Sequence, residues 1–455
     1  MSMLLERSSP QTQATTSAQS RAGALQDADC APPDPLGDVK ERVYQRLLRE
    51  LDPTKLAQRD KAELHAEITS MAASMLAMDD VPMAREERLR CANDVADEIV
   101  GYGPIESLLE DPTITEVMIN APRKVFFERQ GVLHLSDRVF RDHDHILRII
   151  EKIVVPINRR IDEASPMVDA RLPDGSRVNA IIPPLAVDGP TVTIRKFARD
   201  PFTVDDLVSF GTLIPEMVDF IQACVRSRLN IVISGGTGSG KTTMLNVLSS
   251  FISPNERVVT IEDPCELQMR QRHVIRLETR PANVEGKGSV TQRELVRNAL
   301  RMRPDRIIVG EVRAGEAFDM LQAMNTGHDG SLTTVHANSP RDAIARIENM
   351  VLMAGLDLPV RAIREQVASA LDLLVHVSRL ADGTRRVTHV TEVVGMEGQT
   401  VTLQDVFLFQ QTGVDARGKV MGQVVSTGLR PRFISRIEAA GIHLPADIFA
   451  AGRIW

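Results

Sequence analysis

From Val39 to about Val100, apolar residues recur every three or four positions in segments such as VKERVYQRLLREL and AREERLRCANDVADEIV, the spacing of amphipathic helices. Pro53 and Pro82 punctuate this run, which predicts a unit of three helices over 37–100. Ahead of it, residues 1–36 are rich in Ser, Gln, Ala, Thr, Asp and Pro with almost no apolar periodicity, and a disordered tail is expected there. Between 101 and 197 the pattern changes to short strands, ITEVMIN, KVFFERQGVLHL and TVTIRKF, with a DGSR turn at 174–177 and an amphipathic helix near 142–157. That combination predicts an α+β domain built on a small antiparallel sheet. After a linker expected over 198–206, the β-rich runs LNIVIS, RVVTIED, RIIVGEV and SLTTVHA each precede a helical segment. Such alternation implies a parallel sheet covered on both faces, so 207–455 reads as an α/β domain. Its last part, 381–455, returns to strands and ends in the helical segment PRFISRIEAAGI, as a C-terminal extension.

One loop in this pattern carries chemistry of high specificity. Residues 235–243 read GGTGSGKTT, a complete phosphate-binding loop between the strand LNIVIS and the helical run TMLNVLSSFI. Glycines 235, 236, 238 and 240 allow positive φ and close backbone approach, so successive N–H groups can face phosphate oxygens. Gly236, Thr237, Gly238, Ser239, Gly240, Lys241, Thr242 and Thr243 are the expected nucleotide-binding residues, with Lys241 at the β and γ phosphates and the Thr242 hydroxyl on Mg²⁺. The helix that follows adds its N-terminal amides and dipole.

Composition narrows the functional class. The net charge is −7 and only one Trp, two Tyr and thirteen Phe are present, so the basic surface and stacking platform of a nucleic-acid motor are both missing, and no direct nucleic-acid partner is expected. Cys30, Cys91, Cys224 and Cys265 form no C-x-x-C pair, which removes the usual zinc and redox signatures, and no zinc is expected. No stretch approaches the roughly 18 apolar residues of a membrane span, and the N-terminus lacks a signal-peptide pattern. The expected location is cytoplasmic, with any membrane association through a partner.

A phosphate loop alone hydrolyses nothing; it needs a metal-orienting acid, a group that positions water, and cations for developing charge. Glu262 and Asp263 end the strand VVTIED, and Glu266 follows. Carboxylates there can orient water or accept its proton, or merely cap a solvated strand end. The segment RMRPDRIIVGEVR resembles a Walker B element with Gly310 where most such enzymes carry an Asp, leaving Glu311 to hold Mg²⁺ or polarise the nucleophile. Arg301, Arg303 and Arg313 flank it as catalytic cations or as surface ion-pair partners. TGHDGSLTTVHA places His328 before a strand and His336 near its end, in catalytic or in packing roles.

In this order and spacing, GGTGSGKTT, TIEDPCEL, RMRPDRIIVGEVR and TGHDGSLTTVHA resemble the Walker A, Asp box, Walker B and His box of the type II/type IV secretion ATPase superfamily. GYGPIESLLEDPTITEVMIN and RRIDEASPMVDARLPDGSRVNAIIPPLAVDGPTVTIRKF are similar to the CpaF-like ATPases of Tad (Flp) pilus assembly, a resemblance covering about 40–455. It implies an α/β protein with a RecA-like P-loop C-terminal domain, a PAS-like α+β N-terminal domain and an extra N-terminal helical unit. It also implies a homohexamer using ATP and Mg²⁺, acting on integral inner-membrane platform proteins and peripheral to that membrane, with a polar localisation factor as a further candidate partner. Residue by residue, the resemblance favours Glu262 as general base and Glu311 as support for metal and water. His328 and His336 would couple nucleotide state to neighbouring segments. Arg171, Arg177 and Arg195, in DARLPDGSR and TIRKF, match the phosphate-sensing arginines of the N-terminal domain, although Arg177 could equally be an exposed turn residue. Two alternatives stay open: a type IV secretion ATPase exporting protein or DNA, and a nucleotide-dependent assembly scaffold with little turnover.

Overall fold

The computed structural model describes residues 34–51, 59–78, 82–129, 131–197, 201–282 and 287–455. The expected tail lies outside the described residues as far as 33. The chain divides into two compact units, Met1–Arg199 and Asp200–Trp455.

Among the described residues, the first unit begins with helices α1 (Gly37–Glu50), α2 (Lys61–Met78) and α3 (Arg85–Val100). Each buries one stripe at helical spacing: Val39, Val43 and Leu47 on α1, and Leu64, Ile68, Ala72 and Leu76 on α2, against Cys91 and Val95 of α3. After the short α4 (Glu106–Glu110) come strands β1 (Ile114–Ala121), β2 (Lys124–Arg129) and β3 (Val132–Leu135), helix α5 (His143–Val154), then β4 (Met167–Arg171), β5 (Arg177–Ile181) and β6 (Thr191–Arg195). The strands form one antiparallel sheet in the order β3-β2-β1-β6-β5-β4. Asp142 caps α5 by accepting the His145 N–H at 2.7 Å, and Ile146, Ile149, Ile150 and Ile153 join the sheet's inner residues in one core. The helical unit is fastened to this domain by Lys152, whose Nζ donates to the carbonyls of Glu98 and Ile99 at 3.0 and 2.8 Å.

The second unit opens with α6 (Val204–Ser209), α7 (Pro215–Arg226), β7 (Ile231–Gly235) and α8 (Lys241–Ser249). Of the expected linker, 198–200 lies outside the described residues. Its last three residues are helical, because Thr203 and Asp206 form a capping box that starts α6. There follow β8 (Val258–Glu262), β9 (Val274–Glu278), α9 (Gln292–Ala299), β10 (Arg306–Val312), α10 (Glu316–Asn325), β11 (Leu332–His336), α11 (Pro340–Met353), α12 (Val360–Ala370) and β12 (Leu373–Arg379). The chain closes with β13 (Arg385–Glu397), β14 (Thr400–Val414), β15 (Val420–Ser426) and α13 (Ile434–Ala439). All these strands make a single sheet in the order β15-β14-β13-β12-β7-β11-β10-β8-β9, parallel from β12 to β9 and antiparallel from β12 to β15. Ile231 and Ile233 feed one core and Val232 the other, which is why β7 reads as an unbroken apolar run. The C-terminal strands thus extend the same sheet.

Candidate active site

The phosphate loop leaves the carboxyl end of β7, a central strand flanked by β11 and β12, where open α/β sheets bind ligands. Gly238 and Gly240 take φ of 68° and 96°, and α8 starts at Lys241. At Gly235 the packing is tight: a Cβ would stand 2.3 Å from the Val377 carbonyl oxygen and 2.4 Å from Ser239 Oγ. Around Gly236 and Gly240 nothing lies within 4 Å of such an atom, so the loop is open at both positions. Lys241 Nζ donates to the Gly236 carbonyl at 2.9 Å and spans that opening. Burial lowers its pKa and Arg313 adds to this, while Glu311 pulls the other way. A half-buried ammonium beside open backbone amides fits a phosphate chain, and Thr242 and Thr243 stand on the first turn of α8.

Glu262 ends β8 and is 2% exposed. Its Oε2 accepts the N–H groups of Glu266 and Leu267 at 2.6 and 2.8 Å, and Oε1 is buried without a hydrogen bond. Burial raises the carboxyl pKa, against those two donors. The neighbouring strand explains the Gly at the usual Walker B acid: Val309 pairs with Ile261, and a Cβ on Gly310 would meet Glu262 Cγ at 3.0 Å. The Glu262 side chain occupies the space an aspartate at 310 would need. Glu311 Oε2 accepts from Arg313 Nε and Nη2 at 3.1 and 2.8 Å, which holds the Arg313 pKa up. Asp263 and Glu266 act on the same guanidinium, so Lys241, Glu311 and Arg313 belong to one electrostatic cluster bordered by the Asp box.

The two histidines separate. His336 pairs in register with Gly235 and stands beside the phosphate loop. His328 precedes β11, at the amino end of the sheet. The five-residue strand, at about 3.3 Å per residue, keeps it roughly 13 Å or more from the loop's end. His328 is held locally through its backbone, its N–H donating to the Ala323 carbonyl and its own carbonyl accepting from the Ser331 hydroxyl. Arg301 and Arg303 also precede their strand, whereas Arg313 follows it into the site. Sequence reasoning passed over His376, 2% exposed on β12, whose Nδ1 lies 2.8 Å from the hydroxyl of Ser234 just before the loop. Its signal was a histidine inside the apolar run LLVHV. Burial, with His389 adding to it, lowers its pKa to about 4.

In the first unit, register places Arg171 opposite Arg177 and Arg177 opposite Arg195. Directly opposed residues share a sheet face, so three guanidinium-bearing residues form a row, with Glu116 next across at 3.8 Å from Arg195.

Comparison with known proteins matches residues 98–427 to the family model of the type II/IV secretion system protein, and residues 36–100 to the N-terminal domain of type II secretion system protein E. A "Putative conjugal transfer protein" of Mycobacterium tuberculosis is 39% identical over 314 residues, 67% of this chain and 89% of its own. The type IV secretion system protein VirB11 of Brucella suis is 33% identical over 318 residues, covering 64% and 88% of the two chains. The crystal structure of the Brucella suis VirB11 ATPase in complex with sulphate is similar over 63% of this chain and 94% of that one, at 30% identity and a TM-score of 0.35. With a complete phosphate loop on a parallel sheet and a family model spanning most of its length, the chain belongs to the type II/IV secretion system protein family.

Proposed function

We propose that this chain is a ring-forming, Mg²⁺-dependent ATPase that converts hydrolysis into motion of a membrane-bound secretion or pilus machine. The observation that carries this is the phosphate loop with Lys241 in one electrostatic cluster with Glu311 and Arg313, next to the buried Glu262. In this reading the loop amides and Lys241 hold the phosphates, and Thr242 and Glu311 would hold Mg²⁺, which would supply positive charge against the phosphoryl oxygens. Glu262 is the general base: burial raises its proton affinity, and Oε1 is the oxygen that no backbone N–H engages, with the Thr260 hydroxyl nearby. His336 sits where it can report the state of the loop to α11, and the row Arg171, Arg177 and Arg195 supplies cations to the γ-phosphate. Closure on ATP and opening after hydrolysis follow from the differential affinity of the two nucleotides.

Two machines fit. The upstream segments and the helical unit at 36–100, which matches a type II secretion model, favour assembly of a Tad (Flp) pilus through inner-membrane platform proteins by a CpaF-like hexamer acting from the cytoplasmic side. The names of the conjugal transfer and VirB11 relatives favour a type IV secretion ATPase instead. No helix among the described residues is long and apolar enough to cross a membrane. Deletion of the chain decides: loss of surface pili with intact conjugation supports the first, and the converse supports the second. A scaffold with little turnover is tested by Glu262→Gln, which must abolish function without disturbing assembly if hydrolysis matters.

A further inference from the structure

The phosphate loop has a second neighbour. β12 runs parallel to β7 with Val377 opposite Gly235, so its last residue, Arg379, emerges beside the loop. β13 turns back with Arg385 directly opposite Arg379, in a hairpin closed by the Leu380 N–H donating to the Thr384 carbonyl at 2.8 Å. Arg385 Nε donates to the Gly238 carbonyl at 3.2 Å, and Arg379 Nη1 lies 3.8 Å from where a Cβ on Gly238 would stand. Both arginines are exposed, and among the described residues neither meets a carboxylate. The acid in their own turn, Asp382, is already taken: it accepts from the N–H and hydroxyl of Thr384 at 2.9 and 2.6 Å and from the Val420 N–H at 2.9 Å. Like charges directly opposed across strands destabilise a hairpin. An anion placed between them reverses that sign, and the adjacent loop is built to hold one.

We propose that Arg379 and Arg385 form a cation clamp for the terminal phosphate of a nucleoside triphosphate in the phosphate loop, so that the site distinguishes ATP from ADP through its own chain. The proposal rests on reading that loop as a nucleotide site. A guanidinium offers paired donors in a fixed plane that match phosphate oxygens, and Gly238, lacking a side chain, leaves the path from both arginines to the loop clear. The Arg385 bond to the Gly238 carbonyl already holds one of the two at the loop's apex.

The test is calorimetric titration of the full chain with Mg²⁺ and either ATPγS or ADP. It compares wild type, Lys241→Ala, Arg379→Gln, Arg385→Gln, the double Gln variant and the double Lys variant. The clamp requires the double Gln variant to bind ATPγS about tenfold or more weakly, about 1.4 kcal/mol, with ADP affinity changed less than about twofold. The double Lys variant should recover part of the loss, since it keeps the charge without the fork. Equal weakening of both nucleotides, or unchanged ATPγS binding, overturns the clamp while the nucleotide site stands. A wild type that binds neither nucleotide, or a Lys241→Ala variant that binds both normally, overturns the site and the clamp together. Unfolding midpoints of all variants separate binding loss from misfolding, and the single variants serve where the double does not fold.

Discussion

Replacing Gly310 by alanine probes the packing that the site depends on. The new Cβ would lie 3.0 Å from Glu262 Cγ and 3.7 Å from its Oε2, where carbon pairs prefer about 3.5–4.0 Å. Glu262 cannot yield freely, because two backbone N–H groups grip its Oε2 at 2.6 and 2.8 Å, and hydrogen bonds to a charged group contribute about 1.5–3 kcal/mol each. Overpacking of this kind costs about 1–3 kcal/mol. The unfolding midpoint of the second unit should therefore drop by several degrees, at about 2–4 °C per kcal/mol for a domain of this size. On the proposed role of Glu262 as general base, turnover should fall at least about tenfold when its carboxylate is displaced. The assays are scanning calorimetry and steady-state ATP hydrolysis on Gly310→Ala, Glu262→Ala and the double variant. Once Glu262 is truncated the obstacle is gone, so Gly310→Ala should then cost much less, with a coupling of about 0.5–3 kcal/mol. A Gly310→Ala protein as stable and active as wild type, or strictly additive costs, would mean that Glu262 does not fill the space beside Gly310.

Three further outcomes follow from the same geometry. Burial raises the Glu262 pKa in the folded chain, so the wild type binds more protons folded than unfolded above the ordinary carboxylate value and loses stability as pH rises through the raised pKa. Glu262→Gln should gain on the wild type in thermal melts over that rise, and a constant difference at every pH would contradict it. His376 behaves oppositely: depressed to about 4, it must stay neutral in the fold, so its contribution is lost as pH falls from about 6.5 toward 4. His376→Gln should flatten the acid loss of stability in that window, and an unchanged acid limb counts against the buried neutral imidazole. Arg177→Ala should slow ATP turnover about tenfold or more, with the melting temperature followed on the same samples to separate this from a loss of fold; unaltered turnover would remove the row from the mechanism.

The strands and the phosphate loop were legible because their signals are local. A doubly covered parallel strand is apolar throughout, as at Ile231–Ser234, and GGTGSGKTT needs its strand and helix immediately beside it. Helices α1, α2 and α3 were legible for the same reason, through the three- and four-residue spacing of their apolar positions. What stayed hidden depends on residues brought together from far apart. Gly310 looked like a missing acid until its neighbour on β8 proved to fill the space. His328 and His336 are eight residues apart in one box, yet an intervening strand puts them at opposite ends of the sheet. Arg379 and Arg385 belong to no nucleotide motif, and only the pairing of β12 with β7 brings them to the loop. Nothing local told that the C-terminal strands would continue the nucleotide-binding sheet rather than form a separate one.

Whether the chain is a motor is decided by steady-state ATP hydrolysis of the purified protein beside Lys241→Ala and Glu262→Gln, with oligomer mass measured on the same samples. Mg²⁺-dependent hydrolysis by a ring, lost in both variants while the ring persists, is the expected outcome. Equal turnover in all three would contradict the assigned site, and an intact wild-type ring that binds ATP without hydrolysing it would contradict the motor.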